Sequence, residues 1–292
     1  MVEEVDINVN TEYQSSEDED NQEKIQEYIS LIEKTSLFTI FIEGKDDVLV
    51  YEPIEDLCEG LTPQTVDIQS VGGRKIALGI FDGLKGTNDL NKVVFIVDKD
   101  TWVHTGIPSE YNHERIICTT GYSIENDIFI DRKLIDLMKS VKVYHSFQSS
   151  LNEYLKWYVL AIERVMKDTV VEGDKLDVTA QEYFKQNKKA ELILLRENEI
   201  FSNERFNEIL QSYHLKLRGK NLFYLFDWSV NNRYEKLEEG TESTPPLTQP
   251  KKTKKKPTYN TKTILEETPR TLRGENLNRI FESTINIAKQ GF

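Results

Sequence analysis

Two hydrophobic stretches that end in acidic residues decide the fold of this chain. The first is residues 37–47, LFTIFIEGKDD, and the second is residues 92–100, KVVFIVDKD. Each is a short run of β-branched and aromatic residues that stops at carboxylates, as is typical of buried parallel strands. Open α/β sheets hold their chemistry at the carboxyl ends of strands. Glu43, Asp98 and Asp100 are therefore predicted to meet at one edge of a sheet.

Three carboxylates at one edge would suit a hard cation. Mg²⁺ takes one or two carboxylates and keeps waters for a phosphate substrate, which favours Mg²⁺ (or Mn²⁺) at this edge. In-line displacement at a phosphodiester needs a cation to polarise the phosphoryl oxygens and a group to move a proton. Like-charge repulsion favours the protonated form of a carboxylate beside two others, so we expect Glu43 to hold a proton near neutral pH. Phosphodiester chemistry is the leading hypothesis.

The order of the predicted elements around these stretches indicates the fold class. Strands and helices alternate along the chain, which implies right-handed crossovers and a mainly parallel sheet. We therefore expect an α/β, Rossmann-like domain over residues 21–145. The segments with helical or strand periodicity are helices 21–34, 46–58 and 74–84 and strands 65–70 and 115–119.

The remainder of the chain is predicted to be mostly helical. Residues 146–236 are rich in Leu, Lys, Glu, Tyr and Phe at helical spacing, which indicates a helical insertion or a second helical domain. Residues 237–262 are rich in proline and lysine and read as a basic flexible linker. Its lysine run, residues 251–256, either contacts a nucleic-acid backbone by charge alone or is simply a solvated linker. Residues 263–292 are predicted to carry a C-terminal amphipathic helix.

The charge and the cysteines limit the class of protein to which the chain can belong. The formal net charge is −13, and residues 1–34 hold 11 acidic and 2 basic side chains. We interpret residues 1–20 as an acidic disordered tail. Cys58 and Cys118 lie far apart in apolar contexts and are predicted to be buried thiols in a reducing compartment. No apolar run approaches the length of a membrane span and no signal peptide is recognisable, so we expect a cytoplasmic protein without membrane contact.

The acidic motifs, taken in order, resemble a known family. Glu-Gly after a first strand and Asp-x-Asp after a later one are similar to the Toprim domain of topoisomerases, primases and small nucleases. VGGRK at residues 71–75 and SIEN at residues 123–126 resemble one branch of that superfamily, which includes the AriB-like effectors of bacterial anti-phage systems. RGKNL at residues 218–222 resembles a segment in the helical part of the same branch.

The resemblance implies a Toprim fold, magnesium dependence and cleavage of nucleic acid. In that scheme Glu43 is the general acid or base, and Asp98 and Asp100 bind the metal. The resemblance also implies a toxic effector of a defence system that cleaves RNA (perhaps tRNA) or DNA, forms a homodimer and works with an ATPase sensor partner. The chain itself has no G-x-x-x-x-G-K-[ST] nucleotide loop, so any ATP dependence is expected to come from that partner.

Further residues near the predicted site have two interpretations each. Glu125 is either a fourth metal-site carboxylate or an N-terminal helix charge, and Asp47 either caps the first helix or supplies a further carboxylate. Gly72-Gly73 either serves a phosphate contact or permits a tight turn. Trp102 either stacks on a base or packs in the core. The cations predicted to bind substrate phosphates are Lys45, Arg74, Lys75 and Lys99.

Two other classes of function compete with the nuclease hypothesis. A non-catalytic binding module would keep the same α/β core and use the helical region as its interface with a protein partner. A phosphotransfer receiver also gathers carboxylates at strand ends. It needs a single acceptor aspartate and a distant lysine, however, so the glutamate on the first strand and the two aspartates on the third argue against it.

Overall fold

Four short strands form one sheet in which every neighbouring pair is parallel. In the computed structural model they are β1 (Phe38–Ile42), β2 (Val66–Ser70), β3 (Val93–Val97) and β4 (Ile116–Cys118). The order across the sheet is β2-β1-β3-β4. In the register, Ile40 of β1 lies opposite Ile68 on one side and Val94 on the other. The predicted α/β class with a parallel sheet is confirmed.

The structure describes residues 7–167, 176, 178–185, 192–239 and 261–292. They fall into two compact units, one of residues 1–119 with 275–292 and the other of residues 120–274. The helices of the described residues are, in chain order, α1 (Ile7–Lys34), α2 (Val48–Tyr51), α3 (Pro53–Cys58), α4 (Arg74–Leu84), α5 (Trp102–Thr105), α6 (Ile124–Asp131), α7 (Leu134–Ser140), α8 (Tyr144–Met166), α9 (Ala180–Lys185), α10 (Asn203–Gln211), α11 (Tyr213–Lys216), α12 (Gly219–Glu239), α13 (Thr261–Thr271) and α14 (Glu275–Gln290).

Both faces of the sheet are buried in the first unit. On one face, Phe41 and Phe95 stack with their ring centroids 5.4 Å apart and pack with apolar side chains of α1 and α4. The alternate residues Ile40, Val94 and Ile96 point to the other face and are equally buried. α3 lies against β2, and α14 lies against β3, β4 and α3. This double cover explains why β1 and β3 are almost continuous apolar runs, whereas β2 at the edge of the sheet alternates apolar and polar residues.

The second unit is helical. α8 contacts α10 and α12, and α12 also contacts α6 and α9. Its core is aromatic, with Tyr154, Tyr158, Phe147 and Phe226 fully buried. The helical region predicted over residues 146–236 lies within this unit.

The boundaries of the predicted domains differ from those of the structure. The α/β unit ends at Thr119 and not at residue 145, because α6 and α7 pack with helices of the second unit. Helix α1 extends back to Ile7, where a disordered tail was predicted up to residue 20. Residues 7–20 contain neither proline nor glycine, so nothing in them ends a helix that residues 21–34 have nucleated.

The predicted C-terminal amphipathic helix is present as α14, which begins at Glu275 as expected and belongs to the first unit. The structure adds a further helix, α13, before it. The break between them contains Gly274, a poor helix former whose Cβ position would lie 2.6 Å from Asp131 Cγ. The predicted basic linker falls almost wholly on residues 240–260, which lie outside the described residues together with the lysine run.

Two smaller predictions concern the cysteines and the membrane. Cys58 and Cys118 are both buried free thiols, as predicted. Within the described ranges, every helix is too short or too polar to cross a bilayer.

Candidate functional site

The strand order defines one position on the sheet edge for a site. From β1 the chain moves to β2 on one side and then to β3 on the other side of β1. The crevice outside the carboxyl ends of β1 and β3 is therefore the topological switch point, where open α/β sheets bind ligands. Glu43 directly follows β1 and Asp98 directly follows β3. The structure thus brings two of the predicted site residues to this crevice.

The Glu43 carboxyl joins the two strand ends. Its Oε1 accepts a hydrogen bond of 2.8 Å from the backbone N–H of Asp98. Burial raises the pKa of Glu43 to about 8, and the charge of Asp100 adds to this shift, with a smaller addition from Asp47. The hydrogen bond from Asp98 and the charge of Arg74 act in the opposite direction. At neutral pH this carboxyl is therefore mostly protonated.

The glycine loop after β2 is attached to the backbone of Glu43. The Gly72 N–H donates to the Glu43 carbonyl at 2.9 Å, and the Ser70 hydroxyl donates to the same carbonyl at 3.4 Å. Gly72 has φ 95° and Gly73 has φ 143°, and side chains disfavour both values. Backbone conformation alone accounts for the Gly-Gly pair, which agrees with the tight-turn interpretation.

Arg74 contacts the loop after β3 through several groups. One terminal guanidinium nitrogen donates to the carbonyl of Lys99 at 2.7 Å and to that of Asp98 at 3.3 Å. The same nitrogen lies 3.3 Å from Asp100 Oδ2. The guanidinium carbon is 4.5 Å from the centre of the Trp102 ring. The predicted phosphate-binding arginine therefore engages the chain's own backbone.

Trp102 is half-buried and packs against the core. Its ring stacks on Tyr111 with centroids 5.8 Å apart, and both residues lie against the hydrophobic core between the sheet, α1 and α4. With Arg74 over the ring as well, this geometry supports the packing interpretation over a platform for a nucleic-acid base.

Asp47 shapes the turn after β1. Its Oδ2 accepts a hydrogen bond of 2.8 Å from the Gly44 N–H, and the residue precedes α2. A Cβ at Gly44 would lie 2.9 Å from the same oxygen, so the turn has little room for a side chain there. Because its charge also raises the pKa of Glu43, Asp47 serves both the turn and the acidic cluster.

The three predicted lysines follow strand ends on the same edge of the sheet. Lys45 comes after β1 and Lys75 lies in the first turn of α4, and both are exposed. Lys99 follows β3, and its backbone N–H donates to Thr119 Oγ1 at 3.1 Å. Thr119 is fully buried directly after β4. It was not among the predicted site residues, and its position at a strand end is the only sequence signal that indicates it.

Glu125 lies in the second unit, in the first turn of α6. The Ser123 hydroxyl donates to Glu125 Oε2 at 2.6 Å, and Ser123 and Asn126 form a capping box. These contacts match the interpretation as an N-terminal helix charge. Asn126 also donates to the carbonyls of His214 and Leu217, each at 2.9 Å, so this motif holds two distant parts of the second unit together.

Asp127 is a buried carboxylate that the sequence did not indicate. It is fully buried and accepts hydrogen bonds of 2.8 Å from the N–H groups of Thr120 and Gly121. Close by, a Cβ at Gly219 would lie 2.2 Å from Ser123 Oγ. The SIEN and RGKNL motifs therefore meet in the second unit, where these contacts give them a structural role.

The donor chemistry at the β1–β3 crevice fits a hard divalent cation. Its acidic side chains are all oxygen donors, and a cation would offset the negative charge that raises the pKa of Glu43. In the part of the chain that the structure describes, no three His, Cys, Asp or Glu side chains already form a metal-binding group. Asp98 and Asp100 would hold Mg²⁺ or Mn²⁺ at this edge, beside the Glu43 carboxyl.

The chain matches no protein-family model and no curated protein. The resemblance to the Toprim superfamily therefore stays a prediction from the motifs.

Proposed function

We propose that this chain is a Mg²⁺- or Mn²⁺-dependent nuclease that hydrolyses phosphodiester bonds at the β1–β3 crevice. The observation that carries the proposal is the hydrogen bond from the Asp98 N–H to Glu43 Oε1. It holds a carboxyl group of raised pKa beside the Asp98-Lys99-Asp100 loop, at the switch point of the sheet.

The residues divide the chemistry between them. Hydrolysis adds a water across one P–O bond, and the departing oxygen must gain a proton. Glu43 is protonated at neutral pH and is suited to supply that proton as general acid. Asp98 and Asp100 would hold the cation, which polarises the phosphoryl oxygens when bound.

Local cations are needed because the chain as a whole is acidic. With a net charge of −13, long-range attraction to a polyanion is unfavourable. The exposed Lys45, after β1, and Lys75, in the first turn of α4, would contact backbone phosphates. Binding through a few lysines is expected to weaken as salt rises.

The biological setting of the proposal is supported by the motif resemblance and by the missing nucleotide loop. We propose that the chain acts in the cytoplasm as the toxic effector of an anti-phage defence system. It would form a homodimer and cleave RNA (perhaps tRNA) or DNA when an ATPase sensor releases or activates it.

A cleavage assay tests the proposal. Purified wild-type protein is incubated with RNA, tRNA and DNA in Mg²⁺, Mn²⁺ or EDTA, beside Glu43→Gln and Asp98→Asn variants. Glu199→Gln serves as a control, because this glutamate belongs to the second unit and pairs with Arg164. Cleavage that requires the metal and is lost only in the two site variants supports the nuclease. Equal cleavage by wild type and Glu43→Gln would contradict it.

A non-catalytic protein-binding module is the second candidate. It would keep the same α/β core and use the helical second unit as its interface with a protein partner. If the isolated protein is inactive, the assay is repeated with the proteins that neighbouring genes encode. Stable complex formation without cleavage by any variant would support the binding module.

A further inference from the structure

One side chain, Arg74, contacts every part of the loop that carries the acidic pair. Its guanidinium donates to the backbone carbonyls of Asp98 and Lys99, pairs with the Asp100 carboxylate and lies over the Trp102 ring. A guanidinium is planar and presents its N–H groups in a fixed fork, so it can bind several acceptors of one loop at once. A lysine at the same position offers one compact charge and would lose part of this set.

The loop has a backbone shape that needs such support. Asp100 has φ 47°, in the left-handed region that residues other than glycine seldom adopt. Its carboxylate lies 3.3 Å from Arg74, so the ion pair is formed while the backbone holds this conformation. A residue in this region persists when its surroundings determine it, and the Arg74 contacts are such surroundings.

The N–H groups of the same loop are already bound from the sheet side. The Asp98 N–H donates to Glu43 and the Lys99 N–H donates to Thr119. Arg74 binds the carbonyl groups of the same two residues. The strand ends therefore fix one side of this segment. On the other side Arg74 acts together with the turn into α5, where the Trp102 N–H donates to the Lys99 carbonyl at 2.9 Å.

We propose that Arg74 is a positioning residue, which clamps residues 98–102 and thereby holds Asp98 and Asp100 in front of Glu43. This replaces the predicted phosphate contact of Arg74 and leaves that contact to Lys45 and Lys75. The clamp itself is a property of the fold, and only its catalytic meaning rests on the proposed nuclease function.

Lys75 supplies a matched control. It is the next residue of α4, carries the same charge and is exposed, whereas Arg74 is half-buried. Removal of a phosphate-contacting cation weakens binding of nucleic acid and leaves the loop unchanged. Removal of a clamp changes the loop when no nucleic acid is present.

The test compares Arg74→Met, Arg74→Lys and Lys75→Met with wild type in the absence of nucleic acid. Hydrogen–deuterium exchange reports on a peptide covering residues 96–103, and Mn²⁺ titration followed by electron paramagnetic resonance reports on the acidic pair. We expect Arg74→Met to speed exchange in this peptide and to weaken Mn²⁺ binding by about 10- to 100-fold, as loss of a group that orients metal ligands does. Arg74→Lys should fall between Arg74→Met and wild type, and Lys75→Met should match wild type.

Exchange in peptides of α1, in the same unit as Arg74, shows whether each variant has kept its fold. Wild-type exchange at residues 96–103 in Arg74→Met overturns the proposal, as does faster exchange with unchanged Mn²⁺ affinity. A rise in KM for nucleic acid alone, as expected for Lys75→Met, would assign Arg74 to phosphate binding instead. If wild type binds no Mn²⁺, the proposed function fails, while the exchange rates still decide whether Arg74 clamps the loop.

Discussion

Two shielded glutamates, one in each unit, have opposite acid–base behaviour. Glu199 of the second unit accepts hydrogen bonds of 2.7 Å on both carboxylate oxygens from Arg164, and these bonds lower its pKa to about 2. Glu43 of the first unit has one backbone donor within hydrogen-bond distance and two acidic neighbours, and its pKa rises to about 8. The same side chain is therefore a fixed anion in one unit and a proton carrier in the other.

The difference separates a structural role from a chemical one. The charge of Glu199 is neutralised by a guanidinium that folding delivers in bidentate geometry, so its ionised form stabilises the fold. The surroundings of Glu43 disfavour its ionised form, so a proton or a bound cation must offset its negative charge. Groups with strongly shifted pKa values in a crevice are typical of functional sites, and of the two only Glu43 lies at a sheet switch point.

The largest expected effect is on cleavage activity, which should depend on Glu43 and not on Glu199. Glu43→Gln keeps the acceptor for the Asp98 N–H and loses the transferable proton, so we expect cleavage to fall by about 10²- to 10⁴-fold. Glu199→Gln should retain the wild-type rate per folded molecule. Initial cleavage rates of the three proteins at one metal concentration check this, and a similar loss in both variants would remove the distinction.

The next effect is on the free energy of unfolding, which should depend on the ion pair between Glu199 and Arg164. Glu199→Gln leaves Arg164 with a weakened partner in a nearly buried site, and we expect the free energy of unfolding to drop by about 3 kcal/mol at pH 7. Glu197→Gln, two residues earlier and exposed, is the control and should stay within about 0.5 kcal/mol of wild type. Urea unfolding measures both changes. A drop of similar size in the control would show that the loop, and not the ion pair, is responsible.

A smaller effect tests the structural role of the motifs in the second unit. Gly219→Ala would bring a methyl group to 2.2 Å from Ser123 Oγ, and relief of that overlap should cost about 1–3 kcal/mol of unfolding free energy. Lys220→Ala, at the adjacent exposed position of α12, is expected to be nearly neutral. Thermal unfolding of both variants gives the comparison. Unchanged stability in Gly219→Ala would show that the close contact between the SIEN and RGKNL motifs does not contribute to stability.

The sheet was predictable because its signals are local. β1, β3 and β4 are short apolar runs and β2 alternates, and β1 and β3 end at carboxylates that share an edge once the strands are parallel. Like-charge repulsion at that edge predicted a proton on Glu43 near neutral pH. The structure adds burial as the larger cause of the raised pKa of Glu43, followed by the charge of Asp100.

Other features depend on contacts between distant residues, which no local pattern records. The sequence of Arg74 next to Lys75 suggests two equivalent cations, and only the folded loop shows that one of them binds backbone carbonyls. The burial of Asp127 depends on the turn at Thr120 and Gly121, whose two N–H groups donate hydrogen bonds to its carboxylate. Likewise, α14 joins the first unit although 156 residues, 119–274, separate it from β4.

The most direct test of the account is the pH dependence of the free energy of unfolding in EDTA, for wild type and Glu43→Gln from pH 5 to pH 9. The pKa of Glu43 in the folded state is about 8 and its ordinary value is 4.5, so the folded state binds more protons between these values. Wild type should therefore lose stability as pH rises through this window, relative to Glu43→Gln, by at least about 1 kcal/mol. Addition of Mg²⁺ at pH 8 should reduce this loss of unfolding free energy in wild type relative to Glu43→Gln. Parallel curves for the two proteins across the whole range would contradict the claim that Glu43 is an uncompensated carboxyl poised for a proton or a cation.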